Sequence, residues 1–120
     1  MTVSATVFPV PPDNTVGINN GRQWVFTADD TGSAESLAEF ADRSVQVECA
    51  TTFGGGTVTI EGSNDGTNYR TLHDTDGNAL TFTSGGLKQI LEATAKIRAK
   101  MTGSTNPDVT VTLVGTRKRQ

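Results

Sequence analysis

The feature that most constrains this chain is a two-residue period that recurs in short runs. In SVQVECATTF, Val45, Val47 and Cys49 fall on one side of an extended backbone while Gln46 and Glu48 fall on the other. TVTIEG repeats the pattern with Val58 and Ile60. Alternation of this kind marks strands with one buried and one solvated face. NYRTLHD, ALTFTS, KQILEA, KIRAKMTG and DVTVTLVG follow, and Gly, Asn or Asp separates nearly all of them. With RQWVFTA upstream, this predicts roughly eight or nine strands at the spacing of sandwiches and barrels. The predicted fold is all-β: a two-sheet antiparallel β-sandwich, jelly-roll or immunoglobulin-like, with an extended N-terminal arm.

Composition agrees with that class. At 120 residues the chain is the size of one domain and can bury a core without disulfides or metal. Its 13 glycines and many threonines suit short strands joined by turns. Ten Lys plus Arg against thirteen Asp plus Glu argue against a dedicated nucleic-acid binder. The single Cys49 cannot form an internal disulfide. No apolar run reaches the length of a membrane span. The opening MTVSATVFPVPPD lacks the basic start and continuous apolar core of a secretion signal, so synthesis in the cytoplasm is expected.

Two segments compete for helix. In SAESLAEFADR, Leu37, Phe40 and Ala41 have helical spacing and Ser33 could cap the start, so residues 33–43 are either a short helical turn or a loop. GGLKQILEATAKIRAKM is rich in helix formers, but Ile97, Ala99 and Met101 alternate with basic residues and favour a strand.

Three parts are expected: an arm over 1–14, a sandwich domain over 15–116 and a basic tail over 117–120. Pro9, Pro11 and Pro12 lock φ and remove backbone donors, which suits an extended arm and not a central strand. Its apolar Val7, Phe8 and Val10 are costly to leave in water, so the arm should lie on this subunit or on a neighbour. Arg117, Lys118 and Arg119 form a tail expected to be solvated, the alternatives being contact with an acidic partner surface or with nucleic acid.

Candidate chemistry is thin. In GSNDGTNYR, the residues Asn64, Asp65 and Gly66 read as a hairpin turn in which Asn and Gly tolerate positive φ. DTDGN, residues 74–78, has the alternating carboxylates of a calcium loop but lacks the later ligands of an EF-hand, which again favours a turn. Gly54 to Gly56 read as a flexible hairpin or bulge; no Lys-Ser/Thr follows, so they do not form a phosphate loop. Cys49 and His73 are the sole conceivable nucleophile–base pair, yet Cys49 shares the face of Val45 and Val47 and is expected to be a buried structural thiol. Trp24 and Tyr69 are either core residues or a sugar-stacking platform. No catalytic residue, cofactor or metal ligand is predicted.

From Ser44 to Leu113 the chain resembles a family of small virion structural proteins of tailed bacteriophages and prophages. The resemblance rests on SVQVECATTFGGGTVTIEGSNDGTNYRTLHD, NALTFTSGGLKQI and AKIRAKMTGSTNPDVTVTLV. Tyr69 stands where Trp is commoner in the pattern, and Cys49 where a small residue is. The resemblance implies a non-enzymatic β-sandwich of the virus particle, in its most concrete form a capsid decoration or cement protein. Its implied place is the capsid exterior, and its implied partners are the major capsid protein and copies of itself, with no specific nucleic acid and no membrane. The contacts would be made by Val7, Phe8, Pro9, Val10, Pro11 and Pro12 of the arm and by Arg117, Lys118 and Arg119. The alternative is a tail or tail-fibre module that binds host surface carbohydrate through Trp24 or Tyr69, or binds another tail protein.

Overall fold

The computed structural model describes residues 2–9, 19–36, 40 and 42–116, and within them every regular element is a strand. In chain order these are β1 (Thr2–Val3), β2 (Thr6–Pro9), β3 (Asn19–Phe26), β4 (Asp30–Gly32), β5 (Glu35–Ser36) and β6 (Asp42–Cys49). They continue with β7 (Thr57–Ser63), β8 (Arg70–Thr71), β9 (Thr81–Phe82), β10 (Gly86–Ile90), β11 (Lys96–Thr102) and β12 (Val109–Thr116).

Two sheets form. One runs β10-β6-β12-β3-β2; the other runs β1-β4-β11-β7-β8, with β5 also on β11 and β9 also on β7. The short pieces β4 and β5 lie one after the other along β11, as β8 and β9 do along β7. The chain therefore crosses between sheets at almost every step, giving the order β3-β12-β6-β10 opposite β4/β5-β11-β7-β8/β9. Such regular crossing, in two interlocked Greek keys, is a jelly roll; an immunoglobulin-like sandwich keeps its first two strands in one sheet. Every pairing is antiparallel except β1 with β4.

The inward positions of both sheets fill the space between them. Trp24 and Phe26 of β3, Val45 and Val47 of β6, and Val109, Val111 and Leu113 of β12 meet Val58, Ile60, Ile97, Ala99 and Met101 of the facing sheet. Each fully buried aliphatic side chain contributes about 1.5–3 kcal/mol relative to exposure. The alternation seen in the sequence of β11 is reproduced, since Ile97, Ala99 and Met101 are all buried and the segment is a strand.

Four local expectations change. Ser33 caps no helix: its hydroxyl donates to Glu35 and accepts from the Ala5 amide, and Glu35–Ser36 pairs with β11. Leu37 and Ala41 lie outside the described residues, whereas Phe40 is buried against Gly115. The triple glycine makes no hairpin, because β6 and β7 belong to different sheets; Gly54 and Gly55 take positive φ as the chain crosses between them. Cys49 is exposed, not buried. It pairs with Val109 on one side, but on the other β10 ends its pairing at Val47, two residues short of Cys49. Tyr69 lies in the β7–β8 connection at the surface and not in a strand of the core.

The arm expected over 1–14 is, in its described part, woven into the sandwich. β1 joins the seven-stranded sheet beside β4, and β2 forms the outer edge of the five-stranded sheet beside β3. An edge is where a strand ending in proline is tolerated. Val10, Pro11 and Pro12, and Arg117, Lys118 and Arg119, lie outside the described residues.

Candidate interaction surface

The two sheets present different outer faces. On the seven-stranded sheet, Lys96, Arg98 and Lys100 alternate outward along β11. Arg98 is tied down there, with its Nε 2.9 Å from Glu61 Oε1 and its guanidinium 3.8 Å from the centre of the Tyr69 ring. The outer face of the five-stranded sheet differs in carrying few charges. Register aligns Gln23, Thr112, Gln46 and Leu87 in one row across it, and Phe8, Gly21, Val114, Ser44 and Gln89 in the next. A third row holds Val25, Thr110 and Glu48.

No Lys or Arg stands in these rows, and the carboxylate of Glu48 is engaged by the Gln46 amide at 3.0 Å. Gln23 donates to Thr112 at 3.1 Å, so the polar side chains are paired across strands. Val25 and Leu87 stand out from the face, 52% and 66% exposed. Beyond Val114 the face dips into a shallow depression of about 190 Å³ bordered by Asp42, Arg43, Ser44, Gln89 and Thr116. A hydroxyl- and amide-bearing face with protruding aliphatic residues, whose one carboxylate in these rows, Glu48, is hydrogen-bonded, suits a protein–protein contact.

Of the arm residues, Val7 is half-exposed at the β2 edge, opposite Arg22. Phe8 lies over Gly21, with its ring carbons in the space a β-carbon there would occupy. Pro9 ends β2 opposite Asn20. Phe8 thus belongs to the outer face of the five-stranded sheet, whereas Val7 has the opposite phase, that of Arg22. Sequence reasoning did not find the face itself, since it is assembled from outward positions of β2, β3, β6, β10 and β12 and exists only once their register is set.

The connections carry carboxylates as structural acceptors. Residues 64–69 link β7 to β8, with Gly66 at φ 76°. Asp65 accepts from the Asn68 and Thr67 amides, each at 2.8 Å, and from the Asn68 and Ser63 side chains, which together hold its pKa far below the usual range. Asn64 accepts from the Ala95 amide. Asp74 is 4% exposed and accepts from the Asp76 and Asn78 amides; these bonds, led by that from Asn78, lower its pKa against burial. No group of three or more His, Cys, Asp or Glu side chains that could hold a metal ion is present among the described residues.

The other candidates are separated. His73 Nδ1 is 2.6 Å from Glu92 Oε2, and Glu92 Oε1 accepts the His73 amide. Burial pushes the Glu92 pKa up, but its bonds from His73 outweigh that and the net shift is downward. Cys49 ends a strand of the five-stranded sheet, whereas His73 bridges to Ala79 at the margin of the other, so they do not form a nucleophile–base pair. Trp24 is 1% exposed with its indole N–H on the Ser33 carbonyl, and the Tyr69 ring is covered by Arg98. Trp24 has no open ring face for a sugar, and Tyr69 has one face occupied.

No protein-family model matches the sequence, and no curated protein matches it. The fold is similar to that of the SPBc2 prophage-derived protein YomS, with a TM-score of 0.61 and 14% identity over 82% of this chain and 94% of that one. It is also similar to recombinant oxalate oxidase in complex with glycolate, with a TM-score of 0.52 and 17% identity over 97% of this chain and 52% of that one. This chain spans about half the length of that enzyme. At such identities the likeness establishes the fold, and function has to be argued from the surface.

Proposed function

We propose that this chain is a non-enzymatic structural protein of a bacteriophage particle, and more closely a capsid decoration or cement protein. In this reading it sits on the shell exterior and bridges neighbouring major capsid subunits through the outer face of its five-stranded sheet. The observation that carries it is that face, free of Lys and Arg in its three rows, with Val25 and Leu87 protruding and the β2 edge beside it. The jelly roll is a fold used in virus shells, and one fold relative comes from a prophage. Burial of the two aliphatic side chains offers about 1.5–3 kcal/mol each, and a shell repeats the contact over many copies.

The test is binding of purified protein to particles of the encoding phage from which it has been removed. Val25→Glu and Leu87→Glu should fold normally, because both side chains are exposed, and each should lose at least about tenfold in occupancy by burying an unpaired carboxylate. Undiminished occupancy in both would count against the reading. Deleting the arm is a poor probe, since it would remove β1 and β2 from the sheets.

A further inference from the structure

Where β9 and β10 part at the margin of the sandwich, a cleft of about 290 Å³ opens between the sheets. Asp74, Asn78 and Lys88 border it with Thr81, over a floor that includes Leu80 and Phe82. Asp74 Oδ1 accepts from the Asp76 and Asn78 amides at 2.9 and 3.0 Å. Its Oδ2 lies 3.8 Å from Lys88 Nζ, longer than a hydrogen bond. A buried carboxylate is thus fixed in place facing an ammonium that is half-exposed and stops short of contact.

We propose that this cleft binds a neutral sugar, one pyranose ring whose adjacent hydroxyls bridge Asp74 and Lys88. Each hydroxyl is both donor and acceptor, so one donates to the carboxylate while its neighbour accepts from the ammonium. The two protein charges cancel, which leaves no excess for a cation or an anion. A zwitterion such as an amino acid would have to separate Asp74 from Lys88 and bury two further charges, whereas a diol keeps the pair and completes its hydrogen bonds. Size argues the same way: the cleft is at the small end of ligand sites, which span about 300–1,000 Å³, and suits a single ring and not a chain of them. Leu80 and Phe82 are 2% and 7% exposed and only close the floor of the cleft, so recognition rests on the hydroxyl bridge between Asp74 and Lys88. The ring-stacking residues singled out in the sequence, Trp24 and Tyr69, take no part.

The test is an NMR titration of the intact protein with the methyl glycosides of glucose, galactose and mannose, and with glycine as the zwitterionic probe. Saturable shifts at Asn78, Thr81 and Lys88 with at least one glycoside are expected. Affinity should fall at least tenfold in Lys88→Met, which leaves the Asp74 loop intact, and in Asp74→Asn, while Tyr69→Ala leaves it unchanged. The absence of saturable shifts with all three glycosides, or equal affinity in Lys88→Met, would overturn the proposal. Shifts with glycine alone would overturn the sugar assignment. The inference is independent of capsid binding, and occupancy of particles by Lys88→Met should match that of the wild type.

Discussion

Phe8 covers Gly21: a β-carbon at Gly21 would coincide with the ring carbons of Phe8, so the glycine makes room for the aromatic that fastens β2 to the sheet. Gly21→Ala should therefore displace the ring without disturbing the core. We expect faster amide exchange across β2 and a stability loss of about 1–3 kcal/mol, the usual range for overpacking. Exchange in β2 equal to that of the wild type would show that the ring is not what holds the edge.

Gly32 faces less yielding neighbours. A β-carbon there would lie 2.7 Å from the Ala99 carbonyl oxygen and 2.7 Å from Trp24 Cδ1, between backbone and a buried ring. Neither can retreat far, so Gly32→Ala should destabilise by about 1–3 kcal/mol and shift the Trp24 fluorescence. An unchanged denaturant midpoint with an unchanged emission maximum would contradict this packing.

The loop carboxylates make stability depend on acid. Bonds from the Ser104 hydroxyl and amide lower the pKa of Asp29, and amides of Thr51 and Thr52 lower that of Asp108; Asp65 and Asp74 are lowered in the same way. In the unfolded chain these groups take up protons near the ordinary Asp value of 3.8, and in the fold only below it. Their contribution is therefore complete above that value and is lost as pH falls through the lower folded values. Denaturant midpoints should be level from neutral pH down to about 5 and then drop steeply below about 4. A midpoint that rises on acidification would contradict the role given to these loops.

Cys49 should react with a thiol reagent in the native protein, since it is exposed at the end of β6. Complete labelling without denaturant is expected; labelling only after unfolding would place the thiol inside and restore the reading from alternation.

Much of the sandwich was legible because inward and outward residues alternate cleanly in β6, β7, β11 and β12. What failed did so where tertiary pairing outweighs local pattern. Ser33 was one possible helix cap, but Glu35–Ser36 is held by β11. Cys49 keeps the inward phase, but its strand outruns its neighbour. The choice between jelly roll and immunoglobulin-like topology depends on which sheet each strand joins, and no local signal encodes that. The outer face of the five-stranded sheet was illegible for the same reason: Gln23, Thr112, Gln46 and Leu87 are far apart in the chain and form one row only through register.

The proposed capsid role is tested most directly by a cryo-EM map of phage particles that carry this protein. The account predicts density for the jelly roll on the shell exterior, with Val25 and Leu87 against a major capsid subunit. Density confined to the tail, or a shell-bound copy with the five-stranded face turned to solvent, would contradict it.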